Sequence, residues 1–323
     1  MILTVTPNPS LDRTYEVPVL GRGEVLRATA ERMDPGGKGV NVSRAVSVAG
    51  HRTVAVLPLG GAPGAVVAEL LVAEGILVAP VRVAEPTRSN ISVAEPDGTL
   101  TKINAPGPEL SAAEAAALLT AIRTHAADAD WIACCGSLPP GLAPGWYADL
   151  VAGAHSAGKR IALDTSGPSL LAALRERPDV VKPNADELAQ AVGRPLATVG
   201  DAVKAAGELL DLGARAVLAS LGADGQLLVT ESGAYFGSAP VAAVRSNVGA
   251  GDASLAGFLT AGFRTTGGDA GQDALRSAVA HGAAAVQLPG SVMPTPHDLD
   301  LAAVTVTAEV PLDHVLVEQG SPR

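Results

Sequence analysis

Asp252 follows two glycines in Asn247-Val248-Gly249-Ala250-Gly251-Asp252-Ala253-Ser254, and an apolar run from Leu255 to Phe263 comes directly after. This pattern reads as a loop turning into a helix whose first amides have no partner. Such an end attracts anions, because uncovered N–H groups and the helix dipole favour negative charge and glycine lets a phosphate come close to the backbone. A carboxylate beside a bound anion raises the energy of the pair unless it has a chemical task, such as taking a proton from a hydroxyl that attacks phosphorus. The same residues also fit an ordinary glycine turn with an acidic first helical turn, and this stretch alone does not separate the two readings.

Other chemistry-bearing residues recur at the ends of apolar runs. Asp12 follows the short run Ile2 to Thr6 and the turn Pro7-Asn8-Pro9. A second glycine loop, Pro35-Gly36-Gly37-Lys38-Gly39-Val40-Asn41, opens a helix through Val48 and brings a lysine and an asparagine. Gly136-Ser137-Leu138-Pro139-Pro140-Gly141 follows the apolar run Trp131 to Cys135, and Lys182-Pro183-Asn184 follows Val180-Val181. Asn184 and Glu187 have the spacing of a capping box. Ser220-Leu221-Gly222-Ala223-Asp224-Gly225 ends another apolar run with backbone suited to phosphate or ribose. Open α/β sheets place ligands at the carboxyl ends of their strands, so these positions converge on one edge.

The elements that must carry them alternate between strand and helix. Thr53 to Leu59 and Ile76 to Val83 read as buried strands, with a helix from Gly64 to Ala73 between them; helices are expected at 111–126, 144–157, 185–193, 199–212, 253–263 and 272–287. Strands are expected at 160–163 and 214–220, with a terminal hairpin from 227–229 and 234–237. This rhythm predicts a three-layer α/β/α fold around a mainly parallel sheet. Two stretches break it. Residues 15–34 read as two strands around Gly21-Arg22-Gly23, and Ser89 to Ala94 with Thr99 to Asn104 flank Pro96-Asp97-Gly98, a hairpin signal. Together they predict a small antiparallel lid sheet, with Arg27, Arg88 and Lys102 available on it. Solvated edge charge is the plainer role for Arg27 and Lys102, whereas Arg88 stands at the root of the lid.

Composition narrows the function. The chain has 323 residues, 47% of them hydrophobic and only 2% aromatic, so its core must be built from Ala, Val and Leu. A net charge of −10 and the absence of a dense basic run exclude a nucleic-acid binder. No segment offers about 20 apolar residues free of Pro and charge, which points away from membranes and to the cytoplasm. Cys134 and Cys135 are adjacent on an expected strand, so they face opposite sides and suit neither a disulfide nor a metal. Gly153 to Lys159 has Walker-like spacing, but Arg160 replaces the required Ser/Thr and a strand follows. Dinucleotide binding and zinc fall for want of GxGxxG after the first strand and of any histidine spacing.

Thr6-Pro-Asn-Pro-Ser-Leu-Asp12, Gly36-Gly-Lys-Gly-Val-Asn41, Gly136-Ser-Leu-Pro-Pro-Gly141, Lys182-Pro-Asn-Ala-Asp-Glu187, Ser220-Leu-Gly222 and Val248-Gly-Ala-Gly-Asp252 occur in this order. In that order they resemble the ribokinase-like, or PfkB, carbohydrate kinases, and the resemblance covers nearly the whole chain. It is greatest to the phosphosugar branch; Asn247 departs from the family's usual Thr. The resemblance implies one kinase domain over residues 1–310, with lid segments at about 12–35 and 87–105 and a tail at 311–323. It implies ATP and Mg²⁺ as cofactors and a phosphorylated ketose as substrate. Asp252 would be the general base, with Gly249, Ala250 and Gly251 stabilising the transferring phosphoryl group. Asp12 and Asn41 would bind sugar hydroxyls; Gly37, Lys38, Arg88 and Ser137, with Arg27 as a weaker candidate, would hold the substrate and its phosphate. Lys182, Asn184, Ser220, Gly222, Ala223 and Gly225 would line the nucleotide side, and Glu187 would act near the metal. The lid, with free edges and one apolar face, suggests a homodimer. A sugar-phosphate binder without catalysis is the competing class, and an aimed carboxylate at 252 counts against it. A kinase for unphosphorylated sugars or nucleosides is the competing enzyme, disfavoured by Lys38 and Arg88.

Overall fold

The segments Ile2–Val5, Thr53–Leu59 and Trp131–Cys135 are buried at every residue, and strands without a solvent face must be covered on both sides. The computed structural model, which describes residues 1–263 and 268–317, shows how. The chain begins β1 (Ile2–Val5), β2 (Ser10–Glu16), β3 (Ala30–Gly36), α1 (Lys38–Val48), β4 (Thr53–Leu59), α2 (Gly61–Ala73) and β5 (Leu77–Arg82). It continues through β6 (Arg88–Ala94), β7 (Leu100–Ile103), α3 (Ala112–Ala126), β8 (Trp131–Cys135), α4 (Trp146–Ser156), β9 (Arg160–Asp164), α5 (Gly167–Leu174) and β10 (Val180–Val181). The last part comprises α6 (Ala185–Val192), α7 (Val199–Asp211), β11 (Ala216–Ser220), β12 (Gln226–Thr230), β13 (Gly233–Ser238), α8 (Ala250–Thr260), α9 (Gly268–Ala285) and β14 (Thr305–Thr307).

The main sheet has ten strands in the order β14-β13-β12-β11-β10-β9-β8-β1-β4-β5. It is parallel from β5 to β11 and antiparallel from β11 to β14. Alternation along the strands divides the core. Ile132 and Cys134 of β8 pack with α3 to α7 on one side, while Trp131, Ala133 and Cys135 pack with α1, α8 and α9 on the other. The adjacent cysteines therefore enter different layers, both as buried free thiols. The expected terminal hairpin is not the edge, since β14 covers β13.

The lid is a four-stranded sheet, β3-β2-β6-β7. It is mixed rather than wholly antiparallel, because its central strands β2 and β6 pair in parallel. Parallel neighbours need a long crossover, and here everything from β3 to β5 supplies it, so β6 enters the lid from the same end as β2. Leu11 of β2 anchors the lid root in a cluster with Val67 and Leu71 of α2.

Residues 311–317, expected to begin a tail, lie against α7. The carbonyls of His314 and Leu312 accept from the amides of Val199 and Gly200 at 2.9 Å each, satisfying the first turn of α7. Residues 318–323 lie outside the described residues. Among the described residues no helix is long and apolar enough to cross a membrane.

Candidate active site

Two glycine loops meet where α1 and α8 begin. Gly249, with φ of 80°, forms the amino-terminal boundary of α8 without any side-chain cap, so the first amides of that helix are uncovered as the sequence led us to expect. At Gly251 a Cβ would stand 3.1 Å from the Lys182 ammonium, so a side chain there would press on that lysine. In the other loop Gly37 has φ of 118°, and a Cβ would come within 2.7 Å of the Thr6 side chain, so glycine lets α1 start hard against the end of β1.

Asp252, in the first turn of α8, is 7% exposed. Its Oδ2 accepts from Asn41 Nδ2 at 2.8 Å. Burial, then the nearby negative charge of Asp164, pushes its carboxyl up to about 6, against the opposing pull of Lys182, Asn41 and Lys38. A carboxylate so tuned can exchange a proton near neutral pH.

Asp164, the last residue of β9, is fully buried between two ammonium groups. Lys38 Nζ lies 2.7 Å from its Oδ1 and Lys182 Nζ 3.0 Å from its Oδ2. Burial opposes its ionisation, but the charges of Lys182 and Lys38 outweigh that and hold its carboxyl below the usual range. Lys38 also donates to Glu187 Oε1 at 3.0 Å. Burial works against its charge too, and Asp164 and Glu187 overcome it and raise the ammonium's pKa.

A cavity of about 600 Å³ opens between this cluster and the lid. Asp12, Gly37, Lys38, Asn41, Arg88, Ser137 and Glu187 all line it, so residues from the separated motifs share one space. Asp252 connects to it through Asn41. Arg88 donates from its two terminal nitrogens to the carbonyls of Ala105 at 2.8 Å and Asn8 at 2.9 Å. Burial lowers its pKa, with Asp12 opposing.

The remaining expected residues lie elsewhere. Arg27 is exposed in the β2–β3 connection and does not line the cavity. Asn184 caps α6, accepting from the Glu187 amide at 2.8 Å, while Glu187 Oε2 accepts from the Asn184 amide at 3.0 Å. Ser220 bridges to Asn184 in parallel, which sets the turn Gly222–Asp224 with Ala223 and Gly225 beside the start of α6 but outside the cavity. Glu187 thus belongs to both a helix cap and the cavity wall.

Sequence reasoning missed Asp164, Asn8, Ser10 and Asn90. Asp164 had a signal, since it ends a buried strand at the same edge as the other candidates. Asn8, Ser10 and Asn90 line the cavity, yet as single polar residues in turns and lid strands they carry no spacing that marks them. Among the described residues no group of three or more His, Cys, Asp or Glu could hold a metal ion.

Residues 8–298 match the pfkB family of carbohydrate kinases. The chain is 38% identical over 310 residues to a 1-phosphofructokinase of Rhodobacter capsulatus, covering 95% of this chain and 97% of that one. It is 40% identical over 301 residues to a 1-phosphofructokinase of Haloferax volcanii, with 93% and 95% covered. Among solved structures, phosphofructokinase-2 from Escherichia coli in complex with substrates and products superposes with a TM-score of 0.85 at 33% identity, over 92% of this chain and 96% of that one.

Proposed function

The chain belongs to the pfkB family of carbohydrate kinases, and from that premise we propose that it phosphorylates the C6 hydroxyl of fructose 1-phosphate, giving fructose 1,6-bisphosphate and ADP. Its fold is ribokinase-like and its activity is phosphoryl transfer from ATP to an alcohol. The choice of fructose 1-phosphate rests on likeness to relatives that carry that name over nearly their whole length.

The observation that carries the mechanism is the buried Asp252 at an uncapped helix start, bonded to Asn41 of the cavity wall. The sugar hydroxyl gives its proton to Asp252 as its oxygen attacks the γ-phosphorus, while the amides of Gly249 to Gly251 receive the charge developing on the transferring group. Asp12 and Asn41 bind sugar hydroxyls. Arg88, Lys38 and Ser137 hold the phosphate already on the substrate, Arg88 by its forked donors. Lys182, Asn184 and the turn from Ser220 to Gly225 serve the nucleotide. Arg27 is exposed and lies outside the cavity, so it is left out of the substrate site of a single chain.

Magnesium suits the donor set, because it commonly binds through one or two carboxylates, phosphate oxygens and waters. Glu187 on the cavity wall would hold it. The ion would neutralise charge on the nucleotide phosphates. We also propose a homodimer built through the lid: Met33, Ile91 and Ile103 are 43%, 38% and 61% exposed, and register sets them in one row across the lid, interrupted by Arg13 between Met33 and Ile91. We place the enzyme in the cytoplasm, where ATP is at hand for the reaction.

An ADP-release assay across fructose 1-phosphate, fructose 6-phosphate, tagatose 6-phosphate and fructose tests the substrate. The highest kcat/KM is expected with fructose 1-phosphate. A higher value for either 6-phosphate would overturn the substrate while leaving the mechanism, and turnover of fructose alone would overturn the phosphate site.

A further inference from the structure

We propose that Asn90 is a positioning residue of the sugar site: it holds the Asp12 carboxylate in one orientation, with one oxygen bonded to the lid and the other free for the substrate, and thereby sets discrimination among sugar phosphates. The inference rests on the assignment of a sugar phosphate to the cavity made above.

The register of the lid brings the parts together. In the parallel pair of β2 and β6, Ser10 stands opposite Arg88 and Asp12 opposite Asn90. Residues two apart on a strand share a face, so all four project to the same side. That side is the cavity wall.

Hydrogen bonds then determine how the Asn90 amide is oriented. Its Oδ1 accepts from the Ala105 amide at 3.1 Å, so its NH₂ must point the other way. That group donates to Asp12 Oδ1 at 2.9 Å and Ser10 Oγ at 3.0 Å. Ser10 Oγ in turn donates to the same Asp12 Oδ1 at 2.6 Å. Asp12 Oδ1 therefore receives two hydrogen bonds, while Oδ2 has no hydrogen-bond donor among the described residues. Rotating the carboxylate plane away from this orientation would break both bonds at once.

A second observation fixes the seat of the carboxylate. A Cβ on Gly36, the last residue of β3, would stand 2.4 Å from Asp12 Oδ2. Asp12 thus lies over Gly36, where any side chain would displace the carboxylate, and it is held through one oxygen and free at the other. The open oxygen is an acceptor for a sugar hydroxyl at a fixed place, and substrates whose hydroxyl lies elsewhere leave a charged acceptor unpaired. Only asparagine meets both demands at position 90. Aspartate would set a second negative charge against Asp12, and alanine would free the carboxylate to turn.

The test compares Asn90→Ala, Asn90→Asp, Asp12→Ala and the double variant Asp12→Ala with Asn90→Ala. Asn90→Asp keeps the acceptor for Ala105 and the side-chain size, so it separates the Asp12 contact from support of the backbone. Both Asn90 variants should raise the sugar-phosphate KM by about tenfold or more, the scale of one hydrogen bond to a charged group. The KM for ATP should stay within about twofold, and the preference for the best sugar phosphate over its nearest competitor should shrink. The double variant should be no worse than Asp12→Ala alone, because Asn90 acts through Asp12. Unchanged sugar KM and discrimination, effects that multiply in the double variant, or a parallel rise in both KM values with a fall in Tm would each overturn the inference while the wild-type enzyme remained active. Wild-type enzyme inactive on every sugar phosphate would instead overturn the substrate assignment and the inference with it.

Discussion

The Asn41 side-chain amide donates to Asp252 Oδ2 over 2.8 Å, joining residues 211 positions apart in the chain. This contact ties the start of α1 to the start of α8, and so joins the loop that lines the cavity to the loop with uncovered amides. An amide donor holds the carboxylate in place without neutralising it. Asp252 is therefore oriented, buried and still able to take a proton.

The proton affinity of Asp252 predicts a pH profile. With its carboxyl raised to about 6 by burial and by Asp164, kcat/KM should climb with pH along a limb centred near that value, since the base acts when deprotonated. A profile flat from pH 5 to 8 would contradict this.

The same shift predicts a gain in stability when the charge is removed. A carboxylate whose pKa is higher folded than unfolded contributes most below its unfolded value and loses that contribution as pH rises through about 6. Asp252→Asn keeps an acceptor for Asn41, so its Tm should exceed wild type at pH 7.5, with the difference vanishing below about pH 4. Equal Tm values at pH 7.5 would contradict the assignment of a strained charge.

Lys182 should be structural as well as functional. Its side chain is 5% exposed and pairs with the fully buried Asp164, and removing one partner of a buried pair typically costs about 3–5 kcal/mol. Lys182→Met should lose that order of unfolding free energy in urea. Lys38→Met should lose less, because Lys38 is 36% exposed, and should instead raise the sugar-phosphate KM.

Arg88 holds two backbone carbonyls in this structure and lines the cavity. Arg88→Ala should raise the sugar-phosphate KM about tenfold or more, the scale of a hydrogen bond to a charged group, and change the KM for ATP little. Equal effects on both would mean that the residue only braces the lid root.

Replacing Ile103, the most exposed apolar residue of the lid row, by Asp should convert a dimer to a monomer in sedimentation velocity. A wild-type protein already monomeric at micromolar concentration would remove the dimer reading.

Much of this arrangement was legible because strand ends and glycine loops leave local marks. The capping box of Asn184 and Glu187, the fully buried Thr53–Leu59 and Trp131–Cys135, and the helix opening at Lys38 needed only periodicity and spacing. What escaped depends on distant partners. Thr305–Thr307 is three residues long and becomes a strand only because β13 offers an edge, so no period could reveal it. The α5 helix begins with Gly167-Pro168 and spans eight residues, too few to show a face. The parallel pairing of β2 and β6 is set by the crossover through β4 and β5, not by the alternation within either strand. Asn90 likewise gains its meaning from the register that sets it opposite Asp12.

The most direct test of the account is the turnover of Asp252→Asn. The substitution preserves size and the Asn41 contact but cannot accept a proton at neutral pH, and general-base catalysis is worth about 10²- to 10⁴-fold. The account predicts that kcat falls by that amount while the KM values for ATP and sugar phosphate stay within a few-fold. A kcat within a few-fold of wild type, in a protein with the same fold, would contradict it.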